Sequence, residues 1–372
     1  MKLVIERAVL LRSLSHAQSV VERRNTIPIL SNILLGAEDN SLALTATDMD
    51  LTIVEQVDAR VEQAGATTAP AHTLYDIVRK LPDGSEVELS LDADGGQLSI
   101  RSGRSNFSLA TLPKEDFPSP GGGELPHNFR LQAAEAMNLV DRTRFAISTE
   151  ETRYYLNGIY LHAGSNEGLD VLRAVATDGH RLARFEMPLP EGAEGIPGVI
   201  VPRKTVGELR KLIEDSEDSV EIGLSETRIR FNFGRSELTS KLIDGTFPDY
   251  ERVIPTGNDK LMEVDCRSFR EAVDRVSTIS TEKSRAIKLS MNDGALTLSA
   301  NSPDAGSAQE DIPVLYEGPK LEIGFNSRYL LDIAQQIEGE AAQFVLADPA
   351  SPTLVRDTTD VSALYVIMPM RV

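Results

Sequence analysis

Thr73-Leu74-Tyr75-Asp76-Ile77-Val78-Arg79-Lys80-Leu81 sets Leu74, Ile77 and Leu81 three and then four residues apart, the spacing that lines one face of a helix. The same pattern returns at Val206, Leu209 and Ile213, and again at Leu330, Ile333 and Ile337. The offsets are 132 and 124 residues, and 124 is a third of the 372-residue chain, so the pattern tiles the sequence as three units. Thr47-Asp48 and Thr177-Asp178 lie 130 residues apart, as do Phe117-Pro118 and Phe247-Pro248, which marks the first two units as copies. The domains are therefore expected at 1–125, 129–255 and 260–372, with Pro120-Gly121-Gly122-Gly123 and Pro255-Thr256-Gly257-Asn258 as linkers.

Each unit carries a second helical stripe: Leu10, Leu14, Ala17 and Val21 in the first, Ala133, Met137 and Val140 in the second, Phe269, Val273 and Val276 in the third. The spacing predicts helices over 6–24, 72–80, 133–146, 203–214, 266–277 and 327–338. Between them, alternation at Val87, Leu89 and Leu91, at Ile229, Phe231 and Phe233, and at Leu296, Leu298 and Ala300 reads as strands, with turns such as Asn292-Asp293-Gly294. The expected class is α+β: three repeated domains, each with two helices and mostly antiparallel sheet.

Composition narrows the function. A hydrophobic fraction of 41% with 26% charged residues is that of a folded chain in water. Met1-Lys2-Leu3-Val4-Ile5-Glu6-Arg7 interrupts its apolar run after three residues, which predicts neither signal peptide nor membrane span and a cytoplasmic location. One cysteine, Cys266, makes no internal disulfide, and five scattered histidines give no zinc spacing, so no metal or cofactor is expected. Asp48, Asp178 and His180 raise the reading of a metal hydrolase, because Asp-x-His brings two ligand types together. Yet the first unit has Asp48-Met49-Asp50 and the third has Asn301-Ser302-Pro303, so the aspartate reads as a turn element. With no phosphate-binding loop, nucleophile elbow or His-Glu-x-x-His helix, no catalysis is expected.

With 38 basic and 57 acidic residues the net charge is −19, which argues against a protein that grips phosphates by its overall charge. Over the six predicted helices, however, basic residues outnumber acidic ones, and the acid falls on sheets and loops. A unit of this length has a radius of gyration of roughly 14 Å and a diameter near ~35 Å. Three such beads in a closed ring leave a hole of about 5 Å, and six leave about 35 Å. Only the larger admits duplex DNA, roughly 20 Å across. A helix-lined ring around DNA thus requires two chains, head to tail.

Five longer motifs carry a resemblance: Arg153-Tyr154-Tyr155-Leu156-Asn157-Gly158, Thr177-Asp178-Gly179-His180-Arg181-Leu182, Ser240-Lys241-Leu242-Ile243-Asp244-Gly245, Phe247-Pro248-Asp249-Tyr250 and Tyr365-Val366-Ile367-Met368-Pro369-Met370-Arg371. In order and spacing the chain resembles the bacterial DNA polymerase III beta subunit, the DNA sliding clamp, from Met1 to Val372. The resemblance implies a homodimeric ring of six similar domains that encircles duplex DNA without sequence preference. It implies loading by an ATP-driven clamp loader and short linear peptides as the means by which replicative polymerase, loader and repair or translesion factors bind, with no membrane partner.

By the same resemblance, the DNA-touching residues are Arg24, Arg153, Tyr154, Tyr155, Arg203, Lys204 and Arg252, making loose phosphate contacts and reading no bases. His72, where relatives often carry a basic residue, and Thr149-Glu150 depart from the family pattern. The peptide cleft would take Arg153, Leu156, Thr177, Gly179, His180, Arg181 and Leu182 from the middle unit, then Pro248 and Val253. Asn326, Tyr329, Val366, Met368, Pro369, Met370 and Arg371 would complete it, with Ala350 and Pro352 tuning its fit. Methionines suit such a wall because an unbranched thioether repacks around different side chains. Phe107 and Leu109 would meet Thr278 and Ile279 of a second copy at the dimer interface. The competing class is a peptide-binding scaffold independent of DNA, since the cleft itself needs no nucleic acid.

Overall fold

The computed structural model describes residues 1–92, 94–119, 121–214, 219–280 and 285–371; Pro120 of the first linker and the terminal Val372 lie outside the described residues. Six α-helices occur among them: α1 Arg7–Val20, α2 Ala71–Lys80, α3 Ala133–Asp141, α4 Arg203–Glu214, α5 Cys266–Ser277 and α6 Ser327–Ala334. All are where the apolar spacing puts them, and three end early. The helix expected to reach residue 24 stops at Val20, because Val21 is already extended and the exposed polar run Glu22-Arg23-Arg24 supplies nothing to bury. Its last carbonyls are taken by distant side chains: Lys204 Nζ donates to Val20 O at 2.8 Å, and His72 Nε2 lies 3.0 Å from Val21 O. α3 ends at Asp141, not 146, where Thr143 Oγ1 donates back to Leu139 O at 2.6 Å. α6 ends at Ala334, not 338, as its final turn tightens to the three-residue bonds Gln336 N to Ile333 O and Ile337 N to Ala334 O.

The chain divides into two compact units. The first comprises Met1–Met137, Pro190–Pro197 and Lys204–Leu242, and the second Asn138–Leu189, Gly198–Arg203 and Ile243–Val372. Sheet continuity is the reason the middle repeat is shared between them. In the first unit an eight-stranded sheet runs His127–Leu131, Val220–Leu224, Arg228–Asn232, Ser236–Lys241, Leu51–Asp58, Ser41–Thr47, Asn32–Glu38, Gly65–Pro70, so strands of the first two repeats share one hydrogen-bonded ladder. A five-stranded sheet ends on Ser105–Ala110. α1 packs on α2 and on strands Ser41–Thr47 and Leu51–Asp58, burying Leu10, Leu14, Ala17 and Val20. The buried face of α2 is Ala71, Leu74 and Val78, while Ile77 of the sequence stripe stays half-buried.

In the second unit a nine-stranded sheet includes Arg181–Pro188 beside Ala363–Ile367, and a four-stranded sheet ends on Gly306–Pro313. α5 buries Phe269, Ala272, Val273 and Val276 against α6, and Phe269 tilts onto Phe344 at 5.2 Å. Phe269, Val273 and Val276, removed from water, each contribute about 1.5–3 kcal/mol. Both helices are capped by side chains: Asp265 accepts from Ser268 N at 2.7 Å and Asn326 from Arg328 N at 3.0 Å, each worth about 1 kcal/mol.

One turn recurs in both units. Thr47 Oγ1 donates to Leu51 O at 3.0 Å, and Thr177 Oγ1 to Arg181 O at 2.7 Å. Asp48 Oδ1 accepts from the amides of Asp50 and Leu51, as Asp178 Oδ1 does from those of His180 and Arg181. The third turn residue is left-handed in both, Met49 at φ 78° and Gly179 at φ 87°. The strand that leaves the turn then pairs with the last strand of the next repeat, Leu51 opposite Ser240 and Arg181 opposite Ile367. The aspartates are therefore turn-formers, their carboxylates taken up by backbone amides and nearby cations.

Lys204 belongs to this frame. Besides Val20 O it reaches Glu22 and Asp48, both at 2.6 Å. Burial pulls its pKa down, but the bonds to Asp48 and Glu22 outweigh burial and hold it above the ordinary lysine value. A raised folded-state pKa gives stability that is fully present below the unfolded value and lost as pH rises through the folded one. Lys204→Ala should therefore cost about 1–2 kcal/mol in urea unfolding at neutral pH. The difference from wild type should shrink only in strongly alkaline buffer; an unchanged midpoint at neutral pH would show the lysine to be idle.

Candidate functional site

The predicted cleft residues all fall in the second unit, and the structure sorts them by depth. Leu156, Leu182 and Val366 are buried in one cluster with Val175, Ile200, Phe247 and Tyr250. Leu182 sits opposite Val366 across the paired strands, so the ladder itself brings a residue from the middle of the chain to one near its end. Half-buried Tyr155, Leu354 and Leu364 pack against this cluster and keep apolar surface toward solvent. Pro248 and Val253 are exposed beside it in sequence, Val253 at 48%.

Arg181, expected at the peptide surface, is instead a buried pin. Its guanidinium pairs with Asp178 at 3.2 Å and with Asp332, donates to Phe145 O at 2.7 Å, and lies over the rings of Tyr329 at 4.4 Å and Phe145 at 5.2 Å. Tyr329 is thereby held in place, its hydroxyl pKa raised first by burial and then by Asp178. His180 stacks on the outer side of that ring at 6.2 Å and is itself exposed. The C-terminal segment is fastened twice: Met368 N donates to His180 O at 2.8 Å and Met370 N to Gly324 O at 2.9 Å. Met368 is 39% exposed, Pro369 and Met370 are half-buried and Arg371 is exposed. Asn326 spends its carbonyl oxygen on the α6 cap, which leaves the amide nitrogen as its donor. Gly179 is favoured by its left-handed φ of 87°; a Cβ there would meet only the movable end of the Arg153 side chain. Ala350 and Pro352 lie in the turn that Asp348 closes by accepting from the amides of Ala350 and Ser351.

Val175, Leu354, Asp332 and Phe145 are the members that sequence reading missed. Val175 and Leu354 alternate along apolar strands like any core residue, and nothing in the sequence links Arg181 to Asp332 151 positions away.

The basic and aromatic candidates do not behave alike. Arg24 follows α1 in an exposed bend, and Arg203 opens α4 with its side chain exposed; neither has a carboxylate partner among the described residues. Arg153 pairs with Glu150 at 2.8 Å and Arg252 with Asp249 at 2.7 Å. Lys204 is the frame lysine already described. Tyr154 is 54% exposed and meets Tyr155 edge-on at 5.8 Å, while Tyr155 belongs to the cleft cluster. His72, noted as a departure, bridges α1 and α2 through Gln18 and Val21 O. Phe107, exposed, and Leu109, half-buried, sit on the edge strand Ser105–Ala110; Thr278 caps α5 and half-buried Ile279 follows it.

Removing the Arg181 side chain would strand Asp178 and Asp332 and free Tyr329. Arg181→Ala should lower stability by about 3 kcal/mol in urea, and Arg181→Lys should recover only part, because an ammonium cannot fork to two carboxylates and stack at once. Full recovery by lysine would show that charge alone suffices.

Three family models match the chain: the DNA polymerase III beta subunit N-terminal domain over residues 1–120, the central domain over 130–249 and the C-terminal domain over 251–371. The chain is 56% identical over 372 residues to the beta sliding clamp of Caulobacter vibrioides and 39% identical over 374 residues to that of Escherichia coli, each over the whole of both chains. Among solved structures it is similar to a Caulobacter crescentus beta sliding clamp with bound PEG, at a TM-score of 0.97 and 56% identity over 100% of this chain and 99% of that one. It is also similar to a Bartonella birtlesii sliding clamp bound to griselimycin, at a TM-score of 0.96 and 53% identity over 100% of both chains.

Proposed function

The chain belongs to the family of bacterial DNA polymerase III beta subunits and is a DNA sliding clamp, a processivity factor of replication, and from that premise we propose how its residues do the work. Two copies join head to tail into a ring of six domains, each copy contributing repeats at 1–125, 129–255 and 260–372. The observation that carries this reading is a missing pairing. Within the chain, the last strand of repeat two pairs with the post-turn strand of repeat one, and the last strand of repeat three with that of repeat two. The last strand of repeat one, Ser105–Ala110, and the post-turn strand of repeat three, Gly306–Pro313, are sheet edges. Paired between copies, the five-stranded and four-stranded sheets would become a nine-stranded sheet like that of the second unit. Phe107 and Leu109 ride on one of those edges, and Thr278 and Ile279 support the contact from the end of α5.

The ring holds duplex DNA by linkage, with Arg24, Arg203 and, after release from their carboxylates, Arg153 and Arg252 meeting phosphates transiently. Tyr154 adds an exposed ring; Lys204 and Tyr155 act by holding the frame. Polymerase, ATP-driven loader and repair or translesion factors dock through short extended peptides that lay apolar side chains over the Leu156, Leu182 and Val366 floor. Met368, Met370 and Val253 form adaptable walls, Arg371 and the Asn326 amide meet the peptide's polar atoms, and no chemistry is performed on any of them.

Loaded onto nicked circular DNA, the protein should stay bound and should leave when the circle is cut, whereas a scaffold indifferent to DNA would show no such dependence. Ile279→Asp should elute as a monomer and lose retention, because the interface would bury an unpaired carboxylate; a dimeric variant would move the interface elsewhere. Deleting residues 368–372 should abolish binding of polymerase and loader peptides while leaving a folded dimer. Peptide affinity equal to that of the intact chain would place the partner site elsewhere.

A further inference from the structure

The turn that frames the cleft of the second unit has its counterpart in the first unit, down to the individual bonds. Met368 N donates to His180 O at 2.8 Å, and at the equivalent place Lys241 N donates to Asp50 O at 2.8 Å. Phe117-Pro118 stands to this place as Phe247-Pro248 does to the cleft. The first unit holds a cavity of about 260 Å³ there, lined among others by Met49, Thr52, Pro118, Leu125, Arg228 and Lys241.

Two features of this cavity point to a ligand. Met49 occupies the left-handed turn position, φ 78°, that Gly179 fills in the second unit, and its side chain is 52% exposed. A methionine kept at a position that glycine adopts without strain, with its thioether in solvent, does nothing for the turn. It does for this groove what Met368 and Met370 do for the other, supplying an adaptable apolar wall. The second feature is charge. Three cations line the cavity, Arg228, Arg230 and Lys241, against two carboxylates, Asp50 and Glu237. Lys241 pairs with Asp50 at 2.9 Å and Arg230 with Glu237 at 4.0 Å, while the side chain of Arg228 donates to Gly122 O at 3.2 Å and has no carboxylate partner among the described residues.

We propose that this cavity is a second peptide-binding groove, selective for an extended segment that sets an acidic residue beside a leucine- or methionine-sized one. The carboxylate meets Arg228 and the apolar side chain lies between Met49 and Pro118. Each protomer then has two peptide grooves, of which this one prefers an acidic segment. The peptide chemistry is taken from the cleft reading above, and the test separates the two.

The probes are acetyl-Asp-Leu-Glu-Leu-amide and its neutral counterpart acetyl-Asn-Leu-Gln-Leu-amide, added to intact dimer labelled at the methyl carbons of its eight methionines. Met49 reports on the new groove, and Met368 and Met370 on the cleft. The acidic peptide should shift the Met49 methyl saturably and the neutral one should bind there about fivefold more weakly, with Arg228→Ala reducing the preference to near unity. Met49→Gly, which keeps the left-handed turn without strain, should weaken binding of the acidic peptide in a calorimetric titration while leaving the Met368 and Met370 responses intact. A Met49 signal unmoved at about 1 mM peptide, or moved equally by both peptides, would overturn the proposal. Silence at Met368 and Met370 with a response at Met49 would instead count against the cleft.

Discussion

A sheet edge with unpaired amides and carbonyls must be covered, and this chain covers two of its post-turn strands with its own repeats. The strand leaving each Thr-Asp turn takes as neighbour the last strand of the following repeat, with Leu51 opposite Ser240 and Arg181 opposite Ile367. That single device accounts for why the middle repeat is split between two compact units and why residues nearly two hundred positions apart form one surface. It also places the chain's C-terminal residues beside the middle repeat, where Met368 continues the ladder by one more bond to His180 O. The antiparallel register requires the turn to be rigid, and the buried threonine or half-buried counterpart and the aspartate make it so by satisfying the turn's amides and closing carbonyl.

Electrostatics follows from the same frame. A chain of net charge −19 gains nothing from diffuse attraction to DNA, so its cations act one by one. Lys204 is committed to Asp48, Glu22 and the end of α1, and Arg181 to Asp178 and Asp332. Arg153 and Arg252 have weaker commitments to neighbours three residues away, with Arg252 well exposed to solvent. Exposed pairs of that kind contribute about 1 kcal/mol or less, so in the proposed ring a passing phosphate would displace the carboxylate and be displaced in turn. Contacts of this strength suit a protein that must move along its track, where a tight grip would arrest it.

The helix stripes and the turn aspartates were legible because both are local. A three-then-four spacing needs no partner to declare a helix, and Asp48 and Asp178 close their turns within three residues. What was illegible depends on distant groups. The end of α1 is fixed by Lys204 and His72, which the first repeat's own stripe does not announce. Ile77 fits the stripe and yet is half-buried, because α2 presents Ala71, Leu74 and Val78 inward. Arg181 looked like a peptide contact from its motif; its burial could be seen only once Asp332, Phe145 and Tyr329 were placed around it. The partners of Lys204 were hidden for the same reason.

The cleft joins two mechanical regimes. Its frame is stiff: a strand ladder, a turn with every amide satisfied, and an arginine locked between two carboxylates and two rings. The lining proposed for it is soft: Met368, half-buried Met370 and Val253 carry no polar side-chain atom that must find a fixed partner. A stiff frame keeps the conformational cost of binding low, since little of the backbone has to be ordered when a peptide arrives. A soft lining lets different apolar side chains fill the same space without a new clash for each. Affinity for any one peptide is then limited, because little in the lining is shaped for a single occupant. On the proposed reading, exchange among partners would follow from the same softness, and specificity among them would have to come from the few polar groups at the rim.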